Sequence, residues 1–187
     1  MPELSFTIFA TPIGPCGIVW SERGLFGVQI PEGDEAATYA RVTRRFPNAR
    51  ETAPTAAMQN VIDGVLALLN GDKRDLKDVI IDNDDVPAFN LRVYAIVRQV
   101  PPGKTITYGG IAERLGDKML SRAVGQAMGE NRCPIVMPCH RVLASSGKTG
   151  GFSAPGGVAT KLKLLTIEGA QPGGPTLFDD LPLMARR

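Results

Sequence analysis

Histidine occurs once in the 187 residues and cysteine three times. Cys16, Cys133 and Cys139 are sparse and odd in number, which argues against a disulfide framework and suits a reducing compartment. Cys133 and Cys139 lie six apart, Cys16 is remote and His140 stands alone. The paired four-ligand spacing of a structural zinc site is therefore missing, and neither a metal nor a cofactor is expected. No apolar run approaches the roughly 18–20 residues that cross a bilayer. The start, Met1-Pro2-Glu3-Leu4-Ser5, lacks the basic-then-apolar layout of a secretory signal. Internal repeats are also lacking. These shortages point to a soluble, cytoplasmic protein.

What is present is ordinary apolar content, 43%, enough to bury one domain core or two small ones. The net charge of +2 is unevenly placed. Residues 1–85 hold 8 Lys/Arg against 13 Asp/Glu, whereas residues 86–187 hold 13 against 6. A basic half beside an acidic one suits contact with a polyanion through the basic half, although chance clustering gives the same numbers.

Residues 5–10, 16–20 and 25–30 read as strands separated by Pro/Gly turns. Helices are expected over 34–46, capped by Asp34, and over 55–69, stopped by Gly71, with a further short strand over Lys77–Asp82. Residues 1–85 thus form a small α+β domain, expected to be ribonuclease H-like. Asp82-Asn83-Asp84-Asp85 marks the boundary, and Pro87 fits the first turn of the next helix. Residues 86–170 read as a mostly helical second domain. Phe89, Val93, Ile96, Val97 and Val100 mark one helix. Thr107 caps a second, which closes at Gly116, and Ser121 caps a third from Arg122 to Gly129. The last two suggest a helix-turn-helix. Ala123, Gly125, Ala127 and Gly129 on the third helix imply close approach, either to a DNA backbone or to another helix. A final helix spans 158–167, and 171–187 reads as a mobile tail.

Cys139 is the strongest chemical candidate. An ordinary thiol is only a few per cent ionised at neutral pH, so a reactive one needs a base or a positive neighbour. His140 and Arg141 follow it directly. Adjacent strand residues face opposite ways, so His140 acts through a water or Cys139 sits at a bend. The alternative is a structural cysteine beside a polar loop.

Pro138-Cys139-His140-Arg141-Val142 resembles the acceptor motif of the O6-alkylguanine-DNA alkyltransferases. The likeness extends over about 88–170: Ile106-Thr107-Tyr108-Gly109, Ser121-Arg122-Ala123-Val124-Gly125, Asn131, Pro134-Ile135, Gly151-Phe152-Ser153, Lys161, Leu164-Leu165 and Glu168-Gly169 occur in the family's order. The resemblance implies irreversible, single-turnover transfer of an alkyl group from O6-alkylguanine, and from O4-alkylthymine, to Cys139. His140 would deprotonate the sulfur through a water, oriented by Glu168, and Asn131 would stabilise the turn. Tyr108 would contact the flipped base and protonate the departing guanine. Ser153 would bind the alkylated oxygen, the carbonyls of Cys139 and Val142 would accept from the exocyclic amine, and Phe152 would border the base. Arg122 would fill the gap in the duplex. Ser121, Ala123 and Gly125 would lie in the minor groove of double-stranded DNA, bound as a monomer without sequence preference, in the nucleoid. Arg92, Arg98, Lys104, Arg114 and Lys118 are candidate phosphate contacts.

Phe152 replaces the tyrosine of many members, and the 153–157 loop is longer by about two residues, judged from motif offset. Cys133 and Cys16 read as packing residues. The Leu177-Phe178 pair within 175–183 is a weak candidate for docking a protein partner. Two other functions compete. Lesion recognition without repair belongs to relatives that lack the acceptor cysteine. A thiol hydrolase or redox sensor would leave Tyr108 and Arg122 unexplained.

Overall fold

The computed structural model describes residues 3–145 and 148–170; the 171–187 tail, with its candidate docking segment at 175–183, lies outside them. Strands β1 (Leu4–Phe9), β2 (Cys16–Ser21) and β3 (Gly24–Gln29) form an antiparallel meander. A short β4 (Ala49–Glu51), not anticipated from the sequence, adds parallel to β1, giving the order β3-β2-β1-β4. Strand β2 is buried along its whole length, which is why Cys-Gly-Ile-Val-Trp reads as an unbroken apolar run. Its alternate residues serve two cores. Val19 packs with Phe6 and with Val42 of helix α1 (Glu35–Arg45), whereas Ile18 and Trp20 join Met58, Val61 and Val65 of α2 (Ala56–Leu69). Side chains cap both helices: Asp34 accepts from the Ala37 amide at 2.8 Å and Thr55 from the Met58 amide at 3.3 Å.

The expected strand at Lys77–Asp82 is not formed. Only Ile81 bridges to Leu25, with Leu25 N–H donating to the Ile80 carbonyl and Asp82 N–H to the Leu25 carbonyl. The Arg98 guanidinium takes the carbonyls of Leu76, Lys77 and Val79 instead, and carbonyls so engaged hold a series of turns. Arg98 is thereby committed to the link between the two halves, which corrects its assignment to phosphates.

The second half is mostly helical. Pro87 sits at the N-cap of α3 (Ala88–Val97), one residue before its first turn. Strand β5 (Ile106–Thr107) runs directly into α4 (Tyr108–Arg114), and Thr107 accepts from the Gly110 amide at 2.9 Å. Gly116, at φ 98°, closes α4 in a left-handed conformation that costs glycine little. A 3₁₀ turn, Lys118–Leu120, then leads without a break into α5 (Ser121–Gly129). Here the expected cap moves. Ser121 is the first residue of α5 and its hydroxyl donates back to the Lys118 carbonyl, while Asp117 caps the 3₁₀ turn through the Met119 amide. The pair α4–α5 forms the helix-turn-helix. The Tyr94 hydroxyl donates to the Ala127 carbonyl at 2.9 Å and ties α5 to α3. A 3₁₀ turn, Cys139–Arg141, precedes β6 (Val142–Leu143), and α6 (Gly157–Ile167) closes the described chain. Among the described residues no helix is long and apolar enough to cross a membrane.

Candidate active site

Two dipeptide strands assemble the site. β5 pairs parallel with β6, Ile106 opposite Val142 and Thr107 opposite Leu143. Tyr108 follows β5 at once and Cys139–Arg141 precede β6 at once, so this small ladder brings the phenol and the thiol to one cleft. Cys139 sits on the bend that its neighbours require, a 3₁₀ turn after Pro138. Asn131 shapes the approach to that turn. Its Oδ1 accepts from the Cys133 amide at 2.9 Å and its Nδ2 donates to the Met137 carbonyl at 3.0 Å. Inside this clasp Ile135 adopts φ 74°, a left-handed conformation unfavourable for a β-branched residue.

Burial raises the pKa of all three thiols: to about 11 for Cys16, opposed by Thr11, and to about 12 for Cys133, opposed by nearby arginines. Burial raises Cys139 too, against the lowering influence of Asn131 and the Lys161 ammonium. Cys139 differs in position. It is 9% exposed and forms part of the wall of a cleft of about 490 Å³, shared with Tyr108, Gly125, Gly129, Phe152 and Ser153.

Behind the sulfur lies a buried charge cluster. His140 Nε2 meets Glu168 Oε1 at 2.8 Å, and Arg141 clasps the same carboxylate through Nε (2.9 Å) and Nη2 (2.7 Å). Arg141 Nη1 also donates to the Val100 carbonyl at 2.6 Å. Arg141 thus serves the carboxylate and is not the positive neighbour of Cys139. Burial pushes Glu168 up, but His140 and Arg141 outweigh it and hold the carboxyl at about 2. Burial lowers His140, against the pull of Glu168. An ionised carboxylate accepts, so Nε2 carries the proton of a neutral ring and Nδ1 is left as a bare acceptor. Nδ1 is buried and has no hydrogen-bond partner among the described residues.

The positive neighbour is Lys161, whose role the sequence did not disclose. It is fully buried, donates to the Val142 carbonyl at 2.5 Å, and stands 5.9 Å from the Tyr108 ring centre. Burial lowers it to about 8. A signal for it existed: Lys161, Leu164, Leu165 and Glu168 follow the i, i+3, i+4, i+7 pattern of a buried face. Tyr108 is raised by burial and then by Cys139, so it stays protonated.

Not every expected site residue reaches the cleft. Val142 does not line it, and its carbonyl already accepts from Lys161. Arg122 is exposed near the start of α5, and Ser121 and Ala123 are half-buried beside it. A Cβ at Gly125 or Gly129 would meet nothing within 4 Å, so helix packing is not what keeps these two positions small. Of the other cations, Arg92 donates to the Leu115 carbonyl and Lys118 pairs with Glu113 at 3.2 Å.

Residues 88–170 match the family described as 6-O-methylguanine DNA methyltransferase, DNA binding domain. A methylated-DNA–protein-cysteine methyltransferase of Methanothermobacter thermautotrophicus is 30% identical over 87% of this chain and 84% of its own. A DNA base-flipping protein of Thermus thermophilus is 34% identical over 86% of this chain and 97% of its own. The crystal structure of Mycobacterium tuberculosis OGT in complex with DNA superposes with a TM-score of 0.72 at 28% identity, covering 88% of this chain and 92% of that one.

Proposed function

Since this chain belongs to the O6-alkylguanine-DNA alkyltransferase family, we propose that its Cys139 sulfur is the atom that takes the alkyl group, once per molecule, from O6-alkylguanine everted out of double-stranded DNA. Direct alkyl transfer is the repair chemistry of the family and of this chain. The observation that carries the assignment to Cys139 is its place on the cleft wall beside His140, whose Nδ1 is a bare acceptor because Glu168 engages Nε2.

The thiol is neutral in the resting protein, since burial raises it. Reaction therefore needs the proton removed as the base arrives. His140 Nδ1 takes it through a bridging water, and Glu168 stabilises the imidazolium. The sulfur displaces guanine at the saturated carbon: the C–O6 bond breaks, a C–S bond forms, and Tyr108 gives its proton to the departing base. A thioether is not readily cleaved, so the protein is spent. Ser153, exposed on the cleft rim, donates to the alkylated oxygen, and Phe152 borders the ring. The Cys139 carbonyl and the free lone pair of the Val142 carbonyl accept from the exocyclic amine. O4-alkylthymine presents the same alkylated oxygen and is the second substrate.

Eversion costs a few kcal/mol and exposes unstacked neighbours. Arg122 fills the gap with its flat guanidinium. Ser121, Ala123 and Gly125 lie in the minor groove, where the open space at Gly125 admits the backbone. Phosphate contacts make binding insensitive to sequence, the monomer suffices, and the cytoplasmic nucleoid is the place of work. Lesion recognition without transfer is disfavoured by the presence of Cys139.

Intact mass after incubation with duplex DNA holding O6-methylguanine tests the proposal. One methyl on the Cys139 peptide, with a stoichiometric ceiling, is expected. Binding without a mass change overturns it, as does repeated turnover of a thioester or ester.

A further inference from the structure

The cluster behind the acceptor sulfur holds one group that the proton path itself does not use, the guanidinium of Arg141. His140 is fully buried, Arg141 is 3% exposed and Glu168 4% exposed. Both carboxylate oxygens are engaged. Oε1 accepts from His140 Nε2 at 2.8 Å and from Arg141 Nη2 at 2.7 Å, while Oε2 accepts from Arg141 Nε at 2.9 Å and from the Gly103 amide at 3.5 Å. The Val100 carbonyl anchors the third guanidinium nitrogen. Imidazole and guanidinium therefore share one oxygen of one carboxylate.

Counting charge shows what the sharing does. Beside a neutral imidazole, the guanidinium and the carboxylate cancel. Without Arg141 the buried pair would carry a negative charge with no partner, which a low-dielectric site neutralises by taking up a proton. That proton has two places to go. On the ring it makes imidazolium, in which both nitrogens are donors. On Glu168 it makes a carboxylic acid that donates to Nε2, and the ring proton moves to Nδ1. Either way Nδ1 stops being an acceptor. The charged groups facing His140 are Glu168 and Lys161 from α6 and its C-cap and Arg141 from its own turn, which it shares with the Cys139 thiol. Glu168 favours protonation of the ring, and Arg141 and then Lys161 oppose it. Lys161 does not duplicate Arg141, because its ammonium donates to the Val142 carbonyl.

We propose that Arg141 is a positioning residue for alkyl transfer: its fork on Glu168 keeps Nδ1 of His140 bare, so that the acceptor thiol has a base to hand at neutral pH. The inference rests on the alkyl-transfer function above, in which Nδ1 takes the thiol proton through a water, and it names the group that keeps that nitrogen open.

His140 is the only histidine of the chain, so a protein labelled with nitrogen-15 in histidine gives one pair of ring signals that need no assignment. In the unaltered protein at neutral pH, Nε2 is expected to carry the proton and Nδ1 none; a protonated Nδ1 overturns the inference. Single-turnover methyl transfer from duplex O6-methylguanine is then followed across pH, and its acid limb marks protonation of Nδ1. Arg141→Met is expected to move that limb up by about one pH unit or more, with a loss of about tenfold in rate on its acid side that is regained at higher pH. Arg141→Lys keeps the charge but not the planar fork, and a smaller shift in the same direction is expected. The lysine variant carries the test where the methionine variant does not fold, and an unmoved limb in either overturns the inference, since slower transfer alone marks a brace for the fold. Arg141→Met/Glu168→Gln leaves no buried charge to attract the proton and is expected to bring the limb back down; a limb that stays raised is a contrary result. Failure of the unaltered protein to accept methyl overturns the alkyl-transfer function itself, and the nitrogen spectra, which need no DNA, separate the two outcomes.

Discussion

Lys161 in α6 and Glu168 at its C-cap are buried charges, and each acts on a neighbour. The Lys161 ammonium is the positive group that draws the Cys139 thiol down against burial. Lys161→Met should shift the pH profile of Cys139 alkylation by iodoacetamide to higher pH; an unmoved profile would show that the sulfur does not sense the ammonium. Glu168 and His140 govern stability toward acid. Glu168 is held at about 2 when folded, below its ordinary 4.5, so its contribution is complete above that ordinary value and drains away as pH falls toward 2. His140 is lowered from 6.5, so the unfolded chain takes up its proton first and stability starts to fall below that value. Thermal unfolding across this range should show both limbs. His140→Phe should abolish the upper one and weaken the lower, which Arg141 alone would then sustain.

At the scale of elements, α5 and the Asn131 clasp carry the predictions. Gly125 costs helix stability and faces open space. Gly125→Ala should therefore raise the unfolding free energy by roughly 0.5–1 kcal/mol. Gly125→Leu should fold but lose DNA affinity in a binding titration, because its side chain would occupy the space assigned to the nucleic acid. Unimpaired binding by Gly125→Leu would remove α5 from the interface. Asn131→Ala breaks two hydrogen bonds around the strained Ile135. A loss of about 1–3 kcal/mol in denaturant unfolding is expected, together with slower transfer as the Cys139 turn loosens. The amphipathic helices α1, α2 and α3 were legible because each buries a face at helical spacing. The Lys77–Asp82 segment reads as a strand but does not form one because its carbonyls bind Arg98, a partner 19 or more residues away in sequence. The β5–β6 ladder is two residues long on each side, too short for any alternation to reveal it.

The molecule as a whole is less divided than its charge pattern suggests. One buried cluster includes Trp20, Leu25 and Val65 from the first half with Val93, Ile111 and Val142 from the second. Arg132 fastens the same seam, pairing with Asp85 at 2.7 Å, stacking over Phe26 at 4.1 Å and offering its carbonyl to the Val28 amide. A shared core makes the halves cooperate. Calorimetry should record a single transition, and residues 86–187 expressed alone should lose it; two transitions in the intact chain would show independent domains.

Several features followed from the amino-acid order alone: the strands of the meander, the capped helices, the uneven charge, and a cysteine–histidine pair inside a long ordered set of motifs. These are local patterns, written in spacing and residue type. The tertiary structure alone decided which thiol opens to a cleft, that Arg141 serves Glu168, and that the buried Lys161 reaches the Val142 carbonyl beside the Tyr108 ring. Burial and charge proximity depend on segments far apart in the chain meeting in space, and no local pattern encodes those meetings.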